Sequence, residues 1–137
     1  IVVMRISGIY GQGRNVLDKI RDGSVQYIFK KDQIFSRVHI DDIVAALAIS
    51  LEQDISSNIY NLSDDLPSPQ HEVIEYAAEL LNTELSDPLN LEDANLSPMM
   101  RKFYMSSKKV SNKKIKKQLG LNLKYPSYRE GLTSLLC

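Results

Sequence analysis

The sequence predicts an α/β fold with a parallel component, and three observations carry the prediction. The opening residues IVVMRI form a continuous apolar, β-branched run closed by Gly8, the pattern of a central strand buried on both faces of a parallel sheet. A Gly-rich turn, GIYGQG, follows at once and leads into a helix pattern. Strand and helix patterns then alternate through the first half, and helix patterns dominate the second.

In order, NVLDKIRDG reads as a short helix: Asn15 caps it, Val16, Leu17 and Ile20 form its apolar face, and Gly23 ends it. VQYIF and QIFSRVHI, separated by Lys30-Lys31-Asp32, read as two strands or a hairpin. Asp41 or Asp42 is expected to cap the clearest helix, whose apolar positions Ile43, Val44, Leu47, Ala48 and Leu51 follow helical spacing. NIYNL is a short strand. After the polar loop SDDLPSPQ, Ser68 and Pro69 supply the N-cap and first residue of a helix with Val73, Ile74, Ala77, Leu80 and Leu81 inward. No periodicity persists from Thr83 to Pro98, which predicts a long irregular connection. Ser111 is expected to start a basic helix with Ile115 and Leu119 inside and Gly120 at its end. YPSYREGLTSLL closes the chain with a capping box from Ser127 to Glu130 and a stripe of Leu132, Leu135 and Leu136.

The 137 residues are 43% apolar, enough for one domain with its own core. A single cysteine, Cys137, excludes an intramolecular disulfide and fits a reducing, cytoplasmic compartment. No metal-ligand pattern is visible, and no apolar run approaches the ~18 residues that cross a bilayer, so a soluble protein is expected. The chain opens inside a strand pattern without an initiator Met, which suggests a fragment. The net charge of zero hides a segregation. Val38 to Met100 holds thirteen acidic and no basic residues, whereas Arg101 to Lys117 holds eight basic and no acidic ones. That basic run either pairs with the acidic half of the same molecule or attracts nucleic acid or another polyanion.

Two patterns imitate an active site. Glycines 8, 11 and 13 between a strand and a helix suggest a phosphate loop, and Tyr104-x-x-x-Lys108 has the spacing that sets a tyrosine against an ammonium on one helical face. The glycines run G-x-x-G-x-G, however, which is not the dinucleotide order, and four or five strands are too few for two mononucleotide-binding halves. Tyr104 and Lys108 are therefore read as a decoy, and no residue of this chain is assigned a catalytic role.

MRISGIYGQGRN, SRVHIDDIVAAL, IYNLSDD, and VSNKKIKKQLG with YPSYREGL together resemble successive landmarks of the extended short-chain dehydrogenase/reductases, the NAD(P)-dependent epimerase/dehydratase family. The likeness covers nearly the whole chain and corresponds to the part of the family that follows its catalytic helix. It implies the C-terminal portion of a Rossmann-like, doubly wound, mostly parallel domain plus a small mixed substrate-binding subdomain. Residues 1–62 would supply the last Rossmann-type strands and helices, and 63–137 a mainly helical substrate-side region.

The resemblance implies an NAD or NADP cofactor bound mainly by an upstream half, with Ser7, Gly8 and Ile9 approaching the nicotinamide edge. Tyr10 and Arg14 would border a small-molecule substrate, Arg14 reaching an anion through its planar fork or standing as an exposed surface residue. Arg37 is assigned to substrate contact and His39, on the same strand face, to holding the turn. Tyr104 would border the substrate pocket or the surface. The implied chemistry is hydride transfer on a small or nucleotide-linked substrate, performed only when the upstream half is present. Gly8 stands where sugar-nucleotide members usually carry Asn, and Phe35-Ser36-Arg37 where they carry Arg-Asp and an aromatic residue, which argues against a sugar-nucleotide substrate.

Overall fold

A computed structural model describes residues 1–136; Cys137 lies outside the described residues. The chain runs β1 (Val2–Ile6), β2 (Gly8–Tyr10), α1 (Val16–Arg21), β3 (Arg37–His39), α2 (Ile40–Glu52), β4 (Asn58–Leu62), α3 (Gln70–Leu80), a 3-10 turn at Leu91–Asp93, α4 (Pro98–Met105), α5 (Lys113–Leu119) and α6 (Tyr128–Thr133). No helix of the described residues is long and apolar enough to cross a membrane.

Both strand pairs are parallel. β1 runs beside β4 from Val2↔Asn58 to Ile6↔Leu62, and β2 beside β3 from Gly8↔Arg37 to Tyr10↔His39. The change of partner falls on Ser7: its N–H donates to the Leu62 carbonyl at 3.1 Å, and the next N–H, of Gly8, donates to the Ser36 carbonyl at 3.2 Å. Side chains alternate across each pair. Met4 and Tyr60 turn toward α2 and α5, into a core of Val38, Ile43, Ala46, Leu62, Ile115 and Leu119. On the other face of β2 and β3, Tyr10 joins Val16, Leu17, Val73, Ile74, Tyr128 and Leu132 in a second core under α1, α3 and α6. Each fully buried aliphatic side chain here contributes about 1.5–3 kcal/mol. A smaller cluster of Ile28, Phe35, Leu91, Ala94 and Tyr104 lies outside both.

The expectation of a central first strand buried on both faces is corrected. β1 pairs with β4 alone, and Val3 and its register partner Ile59 are 44% and 45% exposed. α2 and α5 clothe the Met4/Tyr60 face, and among the described residues no element covers the Val3/Ile59 face.

The segments around Lys30-Lys31-Asp32 form no hairpin. Asp32 makes the turn at φ +61°, but the flanks take different partners, Ile28 bridging Leu89 and Phe35 bridging Ser68. α1 is capped as the sequence predicts, Asn15 Oδ1 accepting the Asp18 N–H at 2.9 Å. Three caps differ. The N-cap of α2 is His39, whose Nδ1 accepts the Asp41 N–H at 3.0 Å, so the helix begins one residue ahead of both aspartates. α3 starts after Pro69 without a side-chain cap, because the Ser68 hydroxyl donates to the Leu66 carbonyl instead. The N-cap of α5 is Asn112 rather than Ser111; its amide donates to the Ser63 carbonyl and to Asp65 Oδ1. α4 was not expected as a helix. Its start is a Ser-Pro signal, Ser97 Oγ accepting the Met100 N–H at 3.2 Å with Pro98 in the first turn.

Candidate functional site

The carboxyl end of β4 meets the start of β3 at Ser7 and Gly8, and the chain just beyond it, at Asp64, bonds to β3; in open α/β sheets ligands bind outside strand carboxyl ends. Arg37 and His39 share one face of β3 and flank Tyr10, which is held from above by α6. The Tyr10 hydroxyl donates to the Ser127 carbonyl at 3.3 Å, and its ring meets His39 edge-on with centroids 5.2 Å apart. Arg37 Nη2 donates to the Ser68 carbonyl at 3.1 Å and Gln70 Oε1 at 3.4 Å, and the guanidinium lies 5.8 Å from the centre of the Tyr128 ring.

Asp64, two residues beyond the end of β4, completes this layer. Its N–H donates to the Arg37 carbonyl at 2.7 Å and its Oδ1 accepts the Leu66 N–H at 3.1 Å. Tyr10, Arg37, His39 and Asp64 are all buried. Burial above all holds the Tyr10 phenol well above the usual tyrosine range, so near neutral pH it is a hydrogen-bond donor and not a base. Burial also lowers the Arg37 guanidinium from its ordinary value.

The paired aspartates of HIDD divide their work. Asp41 is exposed at the start of α2, whereas Asp42 is 1% exposed and its carboxylate accepts the N–H groups of Lys124 (2.7 Å) and Tyr125 (3.0 Å). That clamp hangs the Tyr125 ring on His39, with centroids 4.1 Å apart. Beside it opens a cleft of about 200 Å³ walled in part by His39, Asp41 and Tyr125.

The predicted residues fall into separate places. Ser7, Gly8 and Ile9 lie on the strand that leads to Tyr10. Gly8 is exposed, and a Cβ there would make only ordinary contact with the Ser36 carbonyl at 3.4 Å, so the glycine leaves bare backbone at the surface. That bare edge fits the close approach of a planar ring. Arg14 is exposed at the tip of a tight turn closed by reciprocal bonds with Gly11, at 3.0 and 3.1 Å. Tyr104 is not beside Tyr10 or Arg37: it is buried in the small third cluster, edge-on to Phe35 and Phe103. Tyr104 and Lys108 do not share a helix, since α4 ends at Met105 and the Lys108 N–H bonds the Ile34 carbonyl. Of the basic run, Lys116 pairs with Asp65 at 2.9 Å, Lys114 donates to the Ile59 carbonyl, and Arg101 to the Leu91 and Ala94 carbonyls.

Asp42, Asp64, Tyr125 and Gly131, whose bare backbone backs the Tyr10 ring, are not singled out as site residues by the sequence. For Asp64 the signal was present, an acidic residue just past a parallel-strand carboxyl end. For the others the partners are 80 or more residues away, beyond the reach of local patterning.

These parallel strands with helices packed on them form the Rossmann-like epimerase/dehydratase fold, over a span that corresponds to a C-terminal half. No family model matches the chain, and no curated relative does. Among solved structures, the chain is similar to a functionally unknown conserved protein from Silicibacter pomeroyi, at 44% identity and a TM-score of 0.90 over 98% of this chain and 48% of that one. It is also similar to the human epimerase family protein SDR39U1 with NADPH (20% identity, TM-score 0.81, 98% of this chain and 47% of that one). A third is a UDP-glucose 4-epimerase with UDP-glucose from Thermotoga maritima (19% identity, TM-score 0.71, 96% and 43%). The chain thus spans about half the length of the structures it matches.

Proposed function

We propose that the chain is the substrate-side part of an NAD(P)-dependent oxidoreductase or epimerase-like enzyme of the cytoplasm, acting on a small or nucleotide-linked substrate. The observation that carries this reading is the packing of buried Tyr10, Arg37, His39 and Asp64 together along β2 and β3, just past the carboxyl end of β4 and next to the bare backbone of Gly8. NAD or NADP supplies or accepts the hydride when bound. Ser7, Gly8 and Ile9 offer it a backbone edge, the exposed Arg14 offers an anion-binding fork, and the Tyr10 phenol stays protonated and orients its surroundings.

The alternative, a free-standing module that binds polyanions through 101–117, has against it the internal engagement of Arg101, Lys114 and Lys116. Fluorescence titration with NADH and NADPH tests the preferred reading. The chain alone is expected to bind neither nucleotide, whereas the chain joined to the first half of the Silicibacter pomeroyi relative binds one. Gly8→Val should then weaken that binding about tenfold, the equivalent of ~1.4 kcal/mol. A folded chimera that binds neither nucleotide would overturn the proposal.

A further inference from the structure

We propose that Arg37 and Asp64 form a proton-gated pair whose state decides whether the first turn of α3 is held. The pair carries two orphan atoms: Arg37 Nη1, a donor, and Asp64 Oδ2, an acceptor once the carboxyl is ionised, are both buried without a hydrogen-bond partner among the described residues. Their backbones are already joined through the 2.7 Å bond from the Asp64 N–H to the Arg37 carbonyl. Even so, Arg37 directs Nη2 away from Asp64, to the Ser68 carbonyl and Gln70 Oε1 at the start of α3.

A buried carboxylate without a bonded cation is costly, whereas a neutral carboxyl is tolerated, so the arrangement seen is that of protonated Asp64. Its surroundings favour that form near neutrality. Burial first, then Asp65 and Asp42, push the carboxyl up to about 7, against the Leu66 N–H and the Arg37 charge. The other charged or titratable groups facing the pair are Tyr10 from β2, Glu72 from α3, and Tyr128 and Glu130 from α6.

Loss of the proton changes what Arg37 is offered. An ionised Oδ2 draws Nη1, and because the guanidinium is a rigid planar fork, turning Nη1 toward Asp64 withdraws Nη2 from Ser68 and Gln70. Ser68 is also bonded in both directions to Phe35, at 3.0 and 3.1 Å, so release at Ser68 reaches the segment that enters β3. The gate joins a carboxyl at the edge of the candidate site to the anchoring of a helix that builds its second core.

Carbon-13 NMR of the aspartate carboxyls, with amide shifts recorded alongside from pH 4 to 9, tests the pair on the unaltered chain. Asp64 is expected to titrate near neutrality, and the amides of Ser68 and Gln70 to shift with the same midpoint. Asp64→Asn should abolish those amide steps. Arg37→Lys, which keeps the charge but loses the fork, should abolish them while Asp64 still titrates well above the ordinary aspartate range. An Asp64 midpoint below about 5, or a midpoint near neutrality with no step at Ser68 and Gln70, would overturn the proposal.

Discussion

The phenol of Tyr10 occupies the space where a side chain on Gly131 would begin: a Cβ at Gly131 would collide with the Tyr10 hydroxyl and with ring carbons at 2.6 and 2.7 Å. β2 and α6, 121 positions apart in sequence, are therefore packed backbone against ring. Gly131→Ala is expected to destabilise by about 1–3 kcal/mol, the usual cost of overpacking a core. Tyr10→Phe keeps the colliding carbons and should not relieve it; Tyr10→Val in the same chain should. Urea unfolding of the three single variants and the two double variants measures the coupling, and additive effects for Gly131→Ala with Tyr10→Val would disprove the contact.

Asp42 predicts a second loss. Asp42→Ala leaves the Lys124 and Tyr125 N–H groups unpaired beneath α2, and removing charge-assisted bonds of this kind costs about 1.5–3 kcal/mol each. Asp42→Asn, which retains one acceptor oxygen, should lose less than Asp42→Ala in the same denaturation experiment. Asp41→Asn, at an exposed position, should change stability by under about 0.5 kcal/mol.

A pH dependence follows from His39. Its Nδ1 must be unprotonated to accept the Asp41 N–H, and burial lowers the imidazole below its ordinary value of 6.5, with Lys124 adding and Asp41 and Asp42 opposing. The folded state therefore binds protons less readily than the unfolded one. The stability tied to the neutral ring is fully present above pH 6.5 and is lost as pH falls through the folded value. Between pH 8 and 5 the raised Asp64 carboxyl works in the opposite direction, so the test is a difference: as pH falls the unaltered chain should lose melting temperature relative to His39→Asn, which keeps a capping acceptor.

Tyr104 separates packing from chemistry. Its ring is buried against Phe35 and Phe103, so Tyr104→Ala should cost about 3–5 kcal/mol, the range for emptying an aromatic site. Tyr104→Phe keeps the ring and should leave stability unchanged in the same urea experiment, and nucleotide binding by the chimera described above unchanged as well.

Local periodicity made α1, α3 and β4 legible in the sequence, because an apolar stripe at helical or alternating spacing needs no distant partner to be recognised. For α2 it gave the helix but not its face: Val44, Leu47 and Leu51 are exposed and Ala48 with them, whereas Asp42, Ile43 and Ala46 are buried. Caps were less legible. Two Ser-Pro pairs, at Ser68 and Ser97, carry the same signal, yet only Ser97 caps, since Ser68 is occupied by Leu66, Phe35 and Arg37. Expecting a hairpin at 30–32 failed for a related reason: turn chemistry marks the turn but not the partners of its flanks. At the candidate site Tyr10 and Arg37 were named from the family resemblance, whereas Asp42, Tyr125 and Gly131 acquire their contacts only when residues beyond 120 fold back on β2 and α2.

The change of partner at Ser7 makes this residue a mechanical seam. Consecutive amides of one strand are fastened to two separate segments, Ser7 to the end of β4 and Gly8 to the start of β3, without a slack residue between them. The two registers are thereby locked to each other: a residue inserted or deleted at Ser7 would break either the pairing of Ile6 with Leu62 or that of Gly8 with Arg37, and with the second the seat of Tyr10 beside His39.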